Sequence, residues 1–160
     1  MTQTGPSESI GRPVHMSATE TLLQAMDAEL RQYNQLIRPP ATDEAIAHIR
    51  DYARKTFQTE LPDGYITFLK RYDGYNFNSY TIYGATERKD PFLDGFIETN
   101  ERLAESPPEF VAYADTSNTL YAQERATGRW VALDLPPYDI VEEFDSFDAM
   151  LEHVLREAYE

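Results

Sequence analysis

The chain has 160 residues, enough for one hydrophobic core and too few to expect two substantial ones. Hydrophobic residues make up 41% and charged residues 26%, the balance of a globular domain, and 11 tyrosines with 8 phenylalanines predict an aromatic-rich core. The 14 basic residues stand against 28 acidic ones, a net charge of −14 that repels nucleic-acid phosphates and anionic lipid headgroups and speeds encounters with basic proteins.

No run approaches the ~18–20 apolar residues needed to cross a bilayer, and the polar N-terminus lacks the basic start and apolar core of an export signal. The expectations are no nucleic acid, no membrane and a cytoplasmic location. With no cysteine there can be no disulfide and no thiolate metal site.

Residues 1–17 carry Gly5, Pro6, Gly11 and Pro13 without apolar periodicity and read as a disordered tail. His15-Met16 reads as a junction left by cloning, which would start the native chain at Met16. Residues 18–160 are expected to form one domain. Ser17-Ala18-Thr19-Glu20 has capping-box spacing, and Leu23, Met26, Leu30, Tyr33 and Ile37 continue a helical stripe that Pro39-Pro40 ends. Thr42 caps a second helix with Ile46, Ile49, Ala53 and Phe57 on its inner face.

Leu61 to Gly74 reads as a third helix from start to stop. Pro62 suits its first turn, Asp63 meets the positive end of the helix dipole, and Tyr65, Phe68, Leu69 and Tyr72 form one apolar face. Lys70 and Arg71 fall in its last turn, and Asp73-Gly74 supplies the terminating turn.

Tyr75 to Tyr83 alternates aromatic and polar residues around Asn78-Ser79, the pattern of a hairpin. A charged loop over Thr86 to Gly95 and a short helix over Phe96 to Glu105 follow, the helix stopped by Pro107-Pro108. Short strands are expected at Phe110–Ala114, Leu120–Glu124, Trp130–Leu135 and Ile140–Phe144, with Ala126-Thr127-Gly128-Arg129 as a hairpin turn. Ser146 opens a last helix striped by Phe147, Met150, Leu151, Val154 and Leu155. Helices, then a block of strands, then a helix predict an α+β fold: a largely antiparallel sheet with helices on one face, an N-terminal helical pair and a C-terminal helix.

The ordered landmarks are Leu-Pro-x-x-Tyr-x-x-Phe-Leu closed by Asp73-Gly74, then Ile82-Tyr83-Gly84, Phe96-Ile97-Glu98-Thr99-Asn100, the Thr127-Gly128 turn, and Phe144-Asp145-Ser146-Phe147. In this order they resemble the SUKH superfamily of immunity proteins and related regulators, over residues 42–158. Asp73-Gly74 stands where that family more often has Asn-Gly, and Ala114-Asp115 where many members have a glycine. The resemblance implies an immunity protein, which binds a cognate secreted toxin domain and inhibits it stoichiometrically. The charge balance adds that such a toxin would be basic and nucleic-acid-targeting, with carboxylates taking the place of phosphates in its cleft. The alternative is a regulatory or scaffold module that binds endogenous proteins.

Catalytic signals are sparse. His15, His48 and His153 form no His-x-x-x-His pair, and there is no Gly-x-Ser-x-Gly elbow and no phosphate-binding glycine loop. The expectation is a non-enzyme without metal or cofactor, with an acid-rich hydrolase as a third alternative.

Partner-binding candidates combine aromatics with loop carboxylates: Tyr75, Phe77, Tyr80, Glu87, Asp90, Asp94, Glu98 and Glu101. The second choice is the acidic C-terminal region, with Asp139, Glu142, Glu143 and Asp145. Residues 139–160 hold eight acidic side chains and one basic, half of the net charge.

Overall fold

The computed structural model describes residues 17–86, 95–103, 109–136 and 138–160. Five helices are described: α1 (Ala18–Gln32), α2 (Asp43–Phe57), α3 (Asp63–Leu69), α4 (Phe96–Leu103) and α5 (Phe147–Tyr159). Six strands, β1 (Tyr75–Phe77), β2 (Tyr80–Ile82), β3 (Phe110–Asp115), β4 (Thr119–Glu124), β5 (Trp130–Asp134) and β6 (Ile140–Phe144), form one antiparallel sheet in sequence order. The fold is a single α+β domain. Residues 1–16 of the expected tail, most of the Thr86–Gly95 loop and the Pro107-Pro108 stop lie outside the described residues, while Ser17 belongs to the start of α1 as its N-cap.

Three helices start where their caps predict. The Ser17 side chain accepts from the Glu20 amide at 3.1 Å and the Glu20 carboxylate accepts from the Ser17 amide, satisfying two donors that helix geometry orphans. Thr42 and Ser146 cap α2 and α5 by accepting from Ala45 and Ala149.

The helix ends differ from the sequence expectation at two places. α1 stops at Gln32 instead of running to Ile37, because Asn34 takes a left-handed conformation (φ 55°). Its neighbours close a Schellman motif, Gln35 N–H to Leu30 C=O and Asn34 N–H to Arg31 C=O, and asparagine tolerates that backbone better than most residues. Tyr33 is thereby turned out of the apolar stripe and is 64% exposed. α3 is also shorter than expected. Pro62 is its N-cap, Lys70 its C-cap, and Arg71 and Tyr72 lie beyond it.

The core draws on nearly every element. Tyr65, Phe68, Leu69, Tyr72, Phe147 and Leu151 are buried in one cluster, with Trp130 and Phe144 partly buried at its margin. Around Tyr113, the rings of Tyr65, Phe96, Trp130 and Phe147 stand with centroids 5.0–5.6 Å away, spacings at which tilted and edge-to-face aromatic pairs attract. Strand register puts Tyr75, Phe77, Tyr80, Ile82, Ala114 and Tyr121 on one sheet face. That face meets the helices: Tyr75 reaches Asp27 of α1 and Phe68 of α3, Phe77 lies against Tyr159, and Tyr121 against His153, both on α5.

The landmarks that looked like a helix stop and a strand end meet in space. Gly74, at φ +92°, packs directly behind Gly84. The buried Asp73 carboxylate accepts from the amides of Ala85 and Thr86 at 2.6 and 3.1 Å, and the Phe96 amide donates to Gly84 C=O at 2.9 Å. Tyr65 donates its hydroxyl to Tyr83 C=O at 2.6 Å. Both ends of the charged loop are therefore tied to the segment that closes α3.

Candidate partner-binding surface

The hairpin aromatics divide by strand face. Tyr75 and Phe77, expected as partner contacts, are core residues at 3% and 6% exposure. The Tyr75 hydroxyl donates to Asp27 at 2.6 Å, and Phe77 packs on Tyr159 with ring centroids 6.1 Å apart. The correction was available in the pattern: in Tyr-Asn-Phe the two aromatics share a face, and a short edge strand turns its apolar face inward.

Tyr80 is half-buried beside α5, where its hydroxyl bonds Glu157. Burial, then the Glu157 charge and that bond, raise its phenol above the usual range. Glu98 is half-buried and Glu101 exposed, both on α4, and Glu101 faces Tyr52 closely enough to add to the upward shift that burial gives that phenol. The sites Glu87, Asp90 and Asp94 lie outside the described residues. The described part of the first-choice surface thus divides between the hairpin and α4.

The second-choice residues are brought together. Asp139, Glu142, Glu143 and Asp145 are all exposed, on or beside β6, the last strand of the sheet. Ile140 and Val141 emerge among them, Val141 being 56% exposed. The β5–β6 register shifts between Ala132 and Leu133, so that Val141 is the extra residue of a bulge that pushes it outward. Glu143 is reached by Arg129 at 3.2 Å, and Arg129 also holds Glu124 at 2.8 Å across the β4–β5 turn. Glu142 lies 3.8 Å from His153 of α5. Carboxylates beside exposed aliphatic side chains on a sheet edge can both steer and grip a basic partner.

This edge is joined to the hairpin along one side of α5. Burial raises the Tyr121 phenol well above its usual range, and Tyr80, Glu157 and Glu142 add to that effect. Glu142 stands beside His153 of α5, and the hairpin meets the same helix where the Asn78 amide donates to Ala158 C=O at 2.8 Å.

Beyond Tyr80 a cavity of about 390 Å³ opens between the hairpin and the end of α1, lined by Glu29, Tyr33, Asn76, Phe77, Asn78 and Tyr80 among others. Sequence periodicity assigned Tyr33 to the core and so missed this cavity; Asn34, a left-handed cap residue, was the signal for it. Ile140 and Val141 were missed because a bulge is not visible in apolar alternation.

No protein-family model and no curated protein matches the chain. Among the described residues no group of three or more His, Asp or Glu side chains is placed to hold a metal ion, and no helix is long and apolar enough to cross a membrane.

Proposed function

We propose that this chain is an immunity protein of the SUKH type, a stoichiometric inhibitor that binds a basic, nucleic-acid-targeting toxin domain inside the cell. One observation carries the reading: Asp139, Glu142, Glu143 and Asp145 stand exposed beside Ile140 and Val141 on the edge of a rigid sheet. A basic cleft evolved to take phosphates accepts an array of carboxylates, and the aliphatic side chains add contacts that persist once water is excluded.

The experiment is co-expression with the toxin encoded by the adjacent gene. The parent chain is expected to protect the cell and to form a complex of fixed stoichiometry, whereas Glu142→Lys with Glu143→Lys folds normally and loses protection. A parent chain that neither protects the cell nor binds that toxin, but captures an endogenous protein instead, would establish the regulatory alternative. Hydrolytic turnover lost on one carboxylate substitution would overturn both.

A further inference from the structure

The cavity beside Tyr80 has the chemistry of a cation site. Its lining includes the exposed carboxylate of Glu29, the rings of Tyr33 and Tyr80, and the side-chain amides of Gln35, Asn76 and Asn78, with no lysine, arginine or histidine among the described residues. Such a lining repels anions, and its amides and carboxylate are wasted on an aliphatic plug. A planar guanidinium suits it: it stacks on tyrosine faces and presents a fork of donors that a carboxylate accepts. The volume of about 390 Å³ exceeds one extended arginine side chain and leaves space for bridging water.

The walls are held in place before any ligand arrives. The Schellman turn at Asn34 fixes the backbone that carries Tyr33 on one side. On the other, Asn78 and Ser79 both take positive φ (49° and 71°), the geometry of a tight two-residue hairpin turn. The Asn78 amide donates to Ala158 C=O at 2.8 Å, which ties the hairpin tip to α5, and the Thr81 hydroxyl donates to Asn76 across the hairpin at 2.9 Å. A preorganised wall loses little entropy when it closes on a side chain.

We infer that this cavity is an anchor site for one arginine side chain of a basic protein partner, engaged together with the acidic β6 edge. The two are linked through α5, which Glu142 approaches at His153 (3.8 Å) and the hairpin tip meets where the Asn78 amide donates to Ala158 C=O. The inference rests on the proposed role of the chain as a binder of a basic protein, and it adds the residue type that the partner must present.

The first test uses N-acetyl-arginine amide, titrated into the full chain and followed by amide resonances in a ¹⁵N-labelled sample. The expected result is a saturable shift confined to residues 76–81 and the end of α1, weakened about threefold to tenfold by Glu29→Gln and by Tyr33→Ala. The uncharged citrulline analogue is expected to leave the resonances in place. Both substituted residues are exposed, so the variants retain the parent's fold and melting temperature. No saturable shift, an equal response to citrulline, or indifference to both substitutions would overturn the assignment.

The second test measures affinity for the adjacent-gene toxin. If Glu142→Lys with Glu143→Lys abolishes binding while Glu29→Gln with Tyr33→Ala leaves it unchanged, the cavity assignment fails and the proposed function stands. If the arginine amide binds as expected while the toxin is not bound at all, the proposed function fails and the cation site stands.

Discussion

Gly84 sits so close behind Asp73 that a Cβ added to Gly84 would lie 2.5 Å from the Asp73 carbonyl oxygen. The approach is reciprocal, since a Cβ on Gly74 would stand 3.0 Å from the Gly84 nitrogen. Both neighbours are backbone atoms, which cannot swing away as a flexible side chain can. Gly84→Ala is therefore expected to cost about 1–3 kcal/mol, the range of overpacking that displaces main chain. Urea unfolding measures it, and a loss below about 0.5 kcal/mol would mean that the two segments are not packed this tightly.

Asp27 accepts two buried phenols, Tyr72 at 2.5 Å and Tyr75 at 2.6 Å, and so joins α1 to the end of α3 and to β1. Burial, then the bond to Asp27 and its charge, push the Tyr72 phenol up to about 12. Asp27→Ala leaves both hydroxyls without that acceptor and is expected to cost about 3 kcal/mol; Tyr75→Phe, which removes one bond and strands no donor, should cost about 1 kcal/mol. A double-mutant cycle between the two positions tests the link. Additive losses would show that Asp27 and Tyr75 do not share an interaction.

Asp115 predicts a pH dependence. Burial raises its carboxyl above the usual range, and this outweighs the opposing effects of the Tyr83 hydroxyl, which donates to it at 2.6 Å, and of the Arg102 charge. A carboxyl whose folded pKa exceeds its unfolded value stabilises the fold fully below the unfolded pKa and loses that contribution as pH rises through the folded one. Asp115→Asn removes this titration. Its stability relative to the parent is therefore expected to improve as pH rises above the ordinary aspartate value of about 3.9, and to level off once the folded-state carboxyl is ionised. Unfolding free energies compared at several pH values would show it, and a constant or opposite difference would contradict the raised pKa.

What the sequence reveals and conceals follows the range of the interactions involved. Ser17 and Glu20, Thr42 and Ser146 act within one helical turn, so their caps could be read directly. The β1–β2 and β4–β5 hairpins carry their own turn residues, Asn78-Ser79 and Thr127-Gly128, and were equally legible. Tyr75 and Phe77 were misassigned to the surface because the count of aromatics in the hairpin outweighed their shared parity. The packing of Gly74 behind Gly84 joins residues ten apart through backbone alone and leaves no periodic trace. For the candidate surface, charge density pointed to the C-terminal region, but only the coordinates bring Ile140 and Val141 out beside Glu142 and Glu143.

Under the proposed function, those four residues would separate two contributions to capture of a basic partner. Charges at an interface act mainly while the partners approach, so Glu142→Lys with Glu143→Lys should slow association about tenfold at low salt. The deficit should shrink as salt rises, because the screening length falls to about 3 Å near 1 M. Val141→Ala removes apolar contact without altering charge and is expected to speed dissociation while leaving association nearly unchanged. Glu101→Lys on α4 changes the charge at a different site and serves as the comparison. Stopped-flow association and surface-based dissociation against the adjacent-gene toxin, at two salt concentrations, resolve the two effects. If Glu101→Lys slows association as much per charge as the β6 pair, the field is that of the whole acidic molecule and β6 is not the docking edge; if Val141→Ala leaves dissociation unchanged, the exposed bulge residue is not part of the interface.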